Sequence, residues 1–230
     1  MYELHIANKN YSSWSLRPWV LMRALDIPFA ETLVPFAGGA GASWDAFRAF
    51  SPTGKVPCLR DGDVTVWDSL AIAEYLAERH PGAWPAAAAA RAWARCAAAE
   101  MHSGFPALRS VCTMNCGVRV RVDAPDAALR KDIARLGELW NEGLARFGGP
   151  FLAGTAFTAV DAFYAPVAFR IQSYGLVLDE ASMAYAQRLL DLPAMCEWYA
   201  AALAESWRDP EHEDEARRAG VWLEDLRRSA

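Results

Sequence analysis

The sequence is short of several things, and each shortage closes a class of function. It has no lysine- or arginine-dense block, and 28 acidic residues outnumber 23 Lys and Arg for a formal net charge of -5. Arg119 and Arg121 flank Val120, but two arginines do not make the basic stripe that binds nucleic acid. No uninterrupted apolar run approaches the roughly 18 residues that span a bilayer, so no membrane partner is expected. The alanine tract from Ala86 to Ala90 is broken by Arg91 and Arg95 and reads as a helix start. Met1-Tyr2-Glu3-Leu4-His5 lacks a basic segment leading into an apolar one, so no secretory leader is expected. The five cysteines (Cys58, Cys96, Cys112, Cys116 and Cys196) are odd in number and scattered. That disfavours a disulfide framework and fits a reducing cytoplasm. Cys112 and Cys116 form the one close pair, with no His/Cys pair to complete a metal site, so no metal is expected.

What is present is a core. Hydrophobic residues make up 53% of 230 positions, which suits one large or two small folded domains. Tyr2 to Ala7 alternates as a strand, and Val20 to Leu25 continues as a helix. Phe29 to Val34 reads as a second strand. Ala37 to Ala42 is a glycine-rich loop, and a short helical piece follows around Trp44 to Phe50. Ser51-Pro52-Thr53-Gly54 is a turn. Val56 to Arg60 and Val64 to Trp67 flank Asp61-Gly62-Asp63, a hairpin signal. Leu70 to Leu76 has helical spacing. The order is therefore β-α-β-α-β-β-α, and His80 to Pro85 breaks it. Beyond that point the apolar spacing is helical: Ala86 to Val111, Ala127 to Phe147, a helix capped by Thr158 and Asp161, then Ser182 to Leu190 and Pro193 to Trp207. Asp209 to Arg218 is charged and reads as solvated.

Three junctions carry chemistry. Asn10-Tyr11-Ser12-Ser13-Trp14-Ser15-Leu16-Arg17-Pro18 runs from the first strand into the first helix, placing hydroxyls beside the unpaired N–H groups of a helix start. An anion, including a thiolate, can be held there. Proline is cheap only in a first turn, so Pro18 points to Ser15 as the cap and leaves Ser12 or Ser13 on the preceding loop. Val56-Pro57 precedes the third strand, either as an ordinary edge proline or as a cis bond that turns Val56 toward a ligand. Asp68-Ser69 opens the next helix, where Ser69 can take a carboxylate and Asp68 an ammonium.

Taken together, these junctions and this element order resemble the cytosolic glutathione transferase family, and within it serine-type, zeta- or theta-like bacterial members. The resemblance covers nearly the whole chain. It is strongest in Tyr11 to Arg17, Lys55-Val56-Pro57-Cys58-Leu59, Asp68 to Leu76 and Thr158 to Ala162. Trp14 stands where zeta-like members carry the cysteine of Ser-Ser-Cys-Ser. The resemblance implies an α/β thioredoxin-like N-terminal domain (1–80), a linker (81–89) and an all-α C-terminal helical domain (90–230) that contributes the electrophile site. It implies glutathione as co-substrate, its cysteinyl backbone on Val56 before a cis Pro57, its γ-glutamyl end on Asp68 and Ser69, and Lys55 near its glycyl end. A serine would bond the sulfur: zeta-like alignment through Arg17 points to Ser12, theta-like alignment to Ser13, and Ser12 is preferred. A small hydrophobic electrophile would sit between the domains against Tyr11, Phe36, Met101, Phe105 and Met114, with Arg109 and Asn115 reading any polar group. Thr158 and Asp161 are assigned to folding.

The implied activity is conjugation of glutathione to an electrophile in a cytoplasmic, detoxifying homodimer. Maleylacetoacetate-type isomerisation and peroxide reduction are alternatives on the same site. A non-catalytic glutathione- or ligand-binding protein is the alternative of another class.

Overall fold

The computed structural model describes residues 1–38 and 42–227. Gly39 to Gly41, the middle of the expected glycine loop, lie outside the described residues. The first half follows the expected order: β1 (Tyr2–Ile6), α1 (Ser13–Ala24), β2 (Phe29–Leu33), α2 (Trp44–Arg48), β3 (Cys58–Asp61), β4 (Val64–Trp67) and α3 (Ser69–Ala77). The sheet order is β2-β1-β3-β4. β1 runs parallel to β2, which requires the α1 crossover, and Tyr2 lies opposite Phe29. β3 is antiparallel to β1, with Leu4 opposite Leu59, and β4 closes the hairpin with Leu59 opposite Val66. Gly62 sits in that turn at φ +59, a left-handed conformation that glycine adopts without steric cost.

The second half contains α4 (Ala88–Ser103), α5 (Pro106–Val111), β5 (Val118–Val122), α6 (Ala127–Phe147), α7 (Ala159–Tyr174), α8 (Glu180–Leu190), α9 (Pro193–Ala204), α10 (Pro210–Arg218) and β6 (Gly220–Asp225). The segment expected as one helix from Ala86 to Val111 is two, because Gly104, Phe105 at φ +55 and Pro106 interrupt it. The helical half also carries a small antiparallel pair, β5 with β6, Val118 opposite Asp225. Val118-Arg119-Val120-Arg121-Val122 has the strict alternation of a half-buried strand. Its partner lies about a hundred residues away, and no hairpin signal joins the two.

α7 is the spine. Every residue of it except Gln172 is buried, and it packs against α1, α4, α8 and β5. Each large apolar side chain on it, among them Phe163, Val167 and Ile171, contributes about 1.5–3 kcal/mol over the exposed state. The expected capping box is present at its start, with Asp161 accepting from the Thr158 N–H at 2.9 Å. Asp161 also accepts from the Leu152 N–H at 3.0 Å and the Tyr185 hydroxyl at 2.9 Å.

The charged segment expected to be solvated is instead α10, docked on the body. Glu213 is buried there, accepting from the Tyr11 hydroxyl at 2.6 Å and pairing with Arg227. Among the described residues no helix is long and apolar enough to cross a membrane.

Candidate active site

The loop between β1 and α1 is fixed from the opposite domain before any ligand arrives. The Glu205 carboxylate accepts the Lys9 N–H at 2.6 Å and the Asn10 N–H at 3.2 Å. The Asn10 side chain donates to Asn115 at 2.8 Å and accepts from the Gly117 N–H at 2.9 Å. Buried backbone groups are thereby satisfied, and the serines that follow are delivered to a fixed place.

The three serines divide their roles differently from the expectation. Ser12, not Ser15, is the N-cap of α1: its hydroxyl accepts the Ser15 N–H at 3.4 Å and donates to the Ser15 hydroxyl at 2.7 Å. Ser15 is fully buried at the third helical position and accepts the Ala7 N–H at 3.2 Å, so it is withdrawn from the cleft. Pro18 lies inside the helix, beyond its first turn, and the Trp14 carbonyl loses the donor that residue 18 would have supplied. Ser13, the first helical residue, accepts from Arg170 Nη2 at 3.4 Å. Among the described residues its hydroxyl donates to no protein group.

Ser12, Ser13 and Trp14 line a cavity of about 560 Å³ between the domains, together with Tyr11, Phe36, Trp44, Lys55, Val56, Arg109, Thr113, Met114, Arg170, Glu211, His212 and Glu215. Past Trp14, Lys55 and Val56 it continues into a groove of about 400 Å³ lined by Thr53, Pro57, Trp67, Asp68 and Ser69. The Val56-Pro57 bond is cis. β3 begins only at Cys58, so Val56 is outside the sheet ladder at the edge of the groove. Gly54, at φ +60, brings the chain there beneath Trp44; a Cβ on it would lie 2.5 Å from the indole.

Asp68 caps α3, accepting the Leu70 N–H at 2.8 Å, and holds φ +74, a left-handed conformation costing of order 1–3 kcal/mol in a non-glycine residue. Its carboxylate lies 3.4 Å from His102 Nε2. Ser69, buried behind it, accepts from Arg17 Nη1 at 3.4 Å.

Positive charge gathers around Trp14. The guanidinium carbons of Arg17 and Arg109 lie 4.2 and 4.3 Å from the centre of its ring. Burial and repulsion among the arginines push Arg17 well below its ordinary value, and Arg170 is pulled down to about 10. A guanidinium keeps its proton in proteins, so the three together form a cationic cluster. An anion entering here meets a hydroxyl donor, a helix N-terminus and this positive field.

Of the residues singled out from sequence, Tyr11, Ser12, Ser13, Phe36, Lys55, Val56, Pro57, Asp68, Ser69, Arg109 and Met114 come together along this cleft. Ser15, Met101, Phe105 and Asn115 do not line it. Met101 and Phe105 are in the core and Asn115 is spent on Asn10. Sequence reasoning passed over Arg170, whose signal was a lone cation on an otherwise apolar helix, and His212 and Glu215, which only the docking of α10 brings to the cleft. A larger cavity of about 1180 Å³ lies between β5, β6 and α6 and contains none of the junction residues. The smaller cleft is favoured because the donors converge there.

A thioredoxin-like half with a cis Val-Pro and a helical half, with a hydroxyl-bearing helix start facing the cleft they share, define a two-domain thioredoxin-like architecture. Comparison with known proteins narrows this. The glutathione S-transferase N-terminal domain model matches residues 11–79, and the glutathione S-transferase C-terminal domain model matches residues 126–201. Together they span more than half of the sequence, and the chain belongs to the glutathione S-transferase family.

Among curated relatives, dichloromethane dehalogenase of Methylorubrum extorquens is 40% identical over 62 residues, 27% of this chain and 22% of that protein. Glutathione S-transferase F13 of Arabidopsis thaliana is 29% identical over 135 residues, 54% of this chain and 60% of that protein. The chain thus spans between about a fifth and three fifths of the length of these curated relatives. Among solved structures, the theta class glutathione S-transferase of Xanthomonas axonopodis pv. citri, with glutathione bound, superposes with a TM-score of 0.63 at 25% identity, covering 86% of this chain and 96% of that one.

Proposed function

We propose that the protein is a glutathione transferase that holds the glutathione thiolate with the Ser13 hydroxyl for attack on a small electrophile. The observation that carries the reading is the hydrogen-bond state of Ser13: its acceptor side is occupied by Arg170, and its proton is free at a helix start facing the interdomain cavity. Ser12 spends its proton on Ser15. That supports Ser13 over Ser12, and a theta class neighbour with glutathione bound agrees with the alignment that points to Ser13.

In this reading glutathione lies along the groove. Its γ-glutamyl carboxylate meets Ser69, its ammonium meets Asp68, its cysteinyl backbone pairs with Val56 and its glycyl end approaches Lys55. The thiol arrives over Ser13. A free thiol ionises near ~8.5. One hydrogen bond to a charged group contributes about 1.5–3 kcal/mol and a helix N-terminus about 0.3–1 kcal/mol, together roughly one to three pKa units. A large fraction is then thiolate at neutral pH without a general base. The sulfur lone pair forms the new C–S bond as the leaving group departs with its electrons, and the thiol proton goes to solvent. The same reading carries the family's dimeric assembly and a cytoplasmic, detoxifying role.

Glutathione titration by calorimetry, followed by the pH dependence of thiolate absorbance in the complex, tests this. Ser13→Ala is expected to raise the bound thiol's pKa by roughly one to two units and to cut aryl-halide turnover at neutral pH about 10- to 100-fold. Ser12→Ala is expected to act mainly through stability, by about 1 kcal/mol for a lost N-cap. An unchanged thiol pKa in Ser13→Ala would remove the serine assignment. A protein that does not bind glutathione would remove the whole reading.

A further inference from the structure

We propose that the electrophile carries a carboxylate, and that Arg109 and Arg170 hold it on the helical wall of the cleft. This rests on the transferase reading and names the substrate class for that same site.

Arg170 is 4% exposed and lines the interdomain cavity. Its Nε donates to the Cys112 carbonyl at 2.8 Å and its Nη2 to Ser13 at 3.4 Å, while Nη1 is buried with no partner among the described residues. A buried donor without an acceptor is costly unless a ligand supplies one. Arg109 lines the same cavity from α5. It lies over Trp14, and its carbonyl contacts, to Met101 at 2.8 Å and His102 at 3.5 Å, use the single nitrogen Nη1. Among the described residues no carboxylate forms an ion pair with either guanidinium; burial and then the charge of Arg109 lower Arg170, against smaller opposing effects of Tyr174, Cys112 and Cys116. Glu211, His212 and Glu215 face the cavity from α10, and Lys55 from the first domain; among the described residues neither glutamate forms an ion pair with the two arginines.

The placement of glutathione's own anions sharpens this. Arg17, Arg109 and Arg170 are three cations around Trp14 and Ser13. Glutathione brings two anions to them. Its γ-glutamyl carboxylate goes to Ser69, beside Arg17, and its thiolate goes to Ser13, beside Arg170. Its glycyl carboxylate goes toward Lys55, and its ammonium is taken by Asp68. Arg109 is the one of the three to which neither of these anions is assigned, and it faces the cleft from α5. A planar guanidinium fork matches the two oxygens of a carboxylate. Tyr11, Phe36, Trp14 and Met114 add aromatic and apolar walls to the same cavity, which suit a ring or short chain bearing that carboxylate.

The test uses the full chain and a pair of probes of one shape, chloronitrobenzoate and its neutral amide. Binding of S-methylglutathione, which has no reactive thiol, is measured first. The two aryl probes are then titrated into that complex by calorimetry and by quenching of tryptophan fluorescence. The benzoate is expected to bind about tenfold or more tightly than the amide, the equivalent of one charged hydrogen bond. Arg109→Gln is expected to reduce that preference to near unity. Arg170→Gln is expected to do the same where it folds; Arg109→Gln decides the matter alone where it does not. Equal affinities for benzoate and amide, or a preference that survives Arg109→Gln, would overturn the proposal while leaving the transferase reading standing. Absence of S-methylglutathione binding would remove both.

Discussion

Three serines within four positions differ by where each hydroxyl proton goes. Ser12 donates to Ser15, Ser15 is turned inward onto the Ala7 N–H, and Ser13 accepts from Arg170. The sequence could show the hydroxyls but not this routing. The first-turn rule for proline places the cap at Ser15, whereas α1 is wedged among α3, α7 and α9 and tolerates Pro18 inside, so the cap falls at Ser12. Residue-scale electrostatics also set a pH dependence at the capping box. Burial raises the Asp161 carboxyl to about 6, against the four hydrogen bonds that favour its charged form. The unfolded carboxyl ionises near ~3.9. Between those values the folded chain keeps a proton that the unfolded chain has lost. Asp161 therefore makes stability fall as pH rises through that window, by up to about 3 kcal/mol. Asp161→Asn has no such slope, so its cost relative to wild type, measured by urea unfolding, is expected to be largest near pH ~4 and to shrink by that amount towards pH ~6.5. A cost that stays constant across the range would show that the carboxyl is not raised.

At the scale of elements, the chain end acts as a strap over the first junction. α10 brings Glu213 to the Tyr11 hydroxyl, and Arg227, just past β6, pairs with Glu213 and Asp225. Arg227 lies flat across Gly117, where a Cβ would sit 2.2 Å from its Cγ. Removing one member of a buried ion pair leaves the other uncompensated, at a cost of about 3–5 kcal/mol, whereas replacing both by apolar side chains can be nearly neutral. Arg227→Met is therefore expected to destabilise the protein or free the strap, seen as faster amide exchange in α10 and β5. The double variant with Glu213→Met is expected to recover much of the loss. A double variant no more stable than the single would show that the strap is held by packing and not by this pair. The strap also marks the limit of reading from sequence. β4 falls at Val64–Trp67 as its hairpin signal predicts, and α7 begins at its capping box, because caps and turns are local. The β5–β6 pair and the Glu213–Tyr11 contact join distant segments, and no local pattern encodes such a meeting.

At the scale of the whole molecule, the two halves meet where α1 packs on α7, so Arg170 reaches from the helical domain to Ser13 in the other. The outer edge of the sheet exposes apolar side chains. β4 is the outer strand of the sheet, with Val64 46% and Trp67 44% exposed. Beside it lies an apolar recess formed by Val66, Leu70 and Ala71. An uncovered edge strand that shows a tryptophan is a template for association unless something covers it. A second copy of the chain is the partner that the family's dimeric habit implies. Sedimentation velocity at micromolar concentration is expected to show a dimer, and Val64→Glu to shift it towards monomer by burying an unpaired charge at the contact. Val64 is the better probe than Trp67, which also lines the groove assigned to glutathione. A dimer untouched by Val64→Glu would place the contact elsewhere. A wild-type monomer would leave this edge without the partner that its exposed side chains call for.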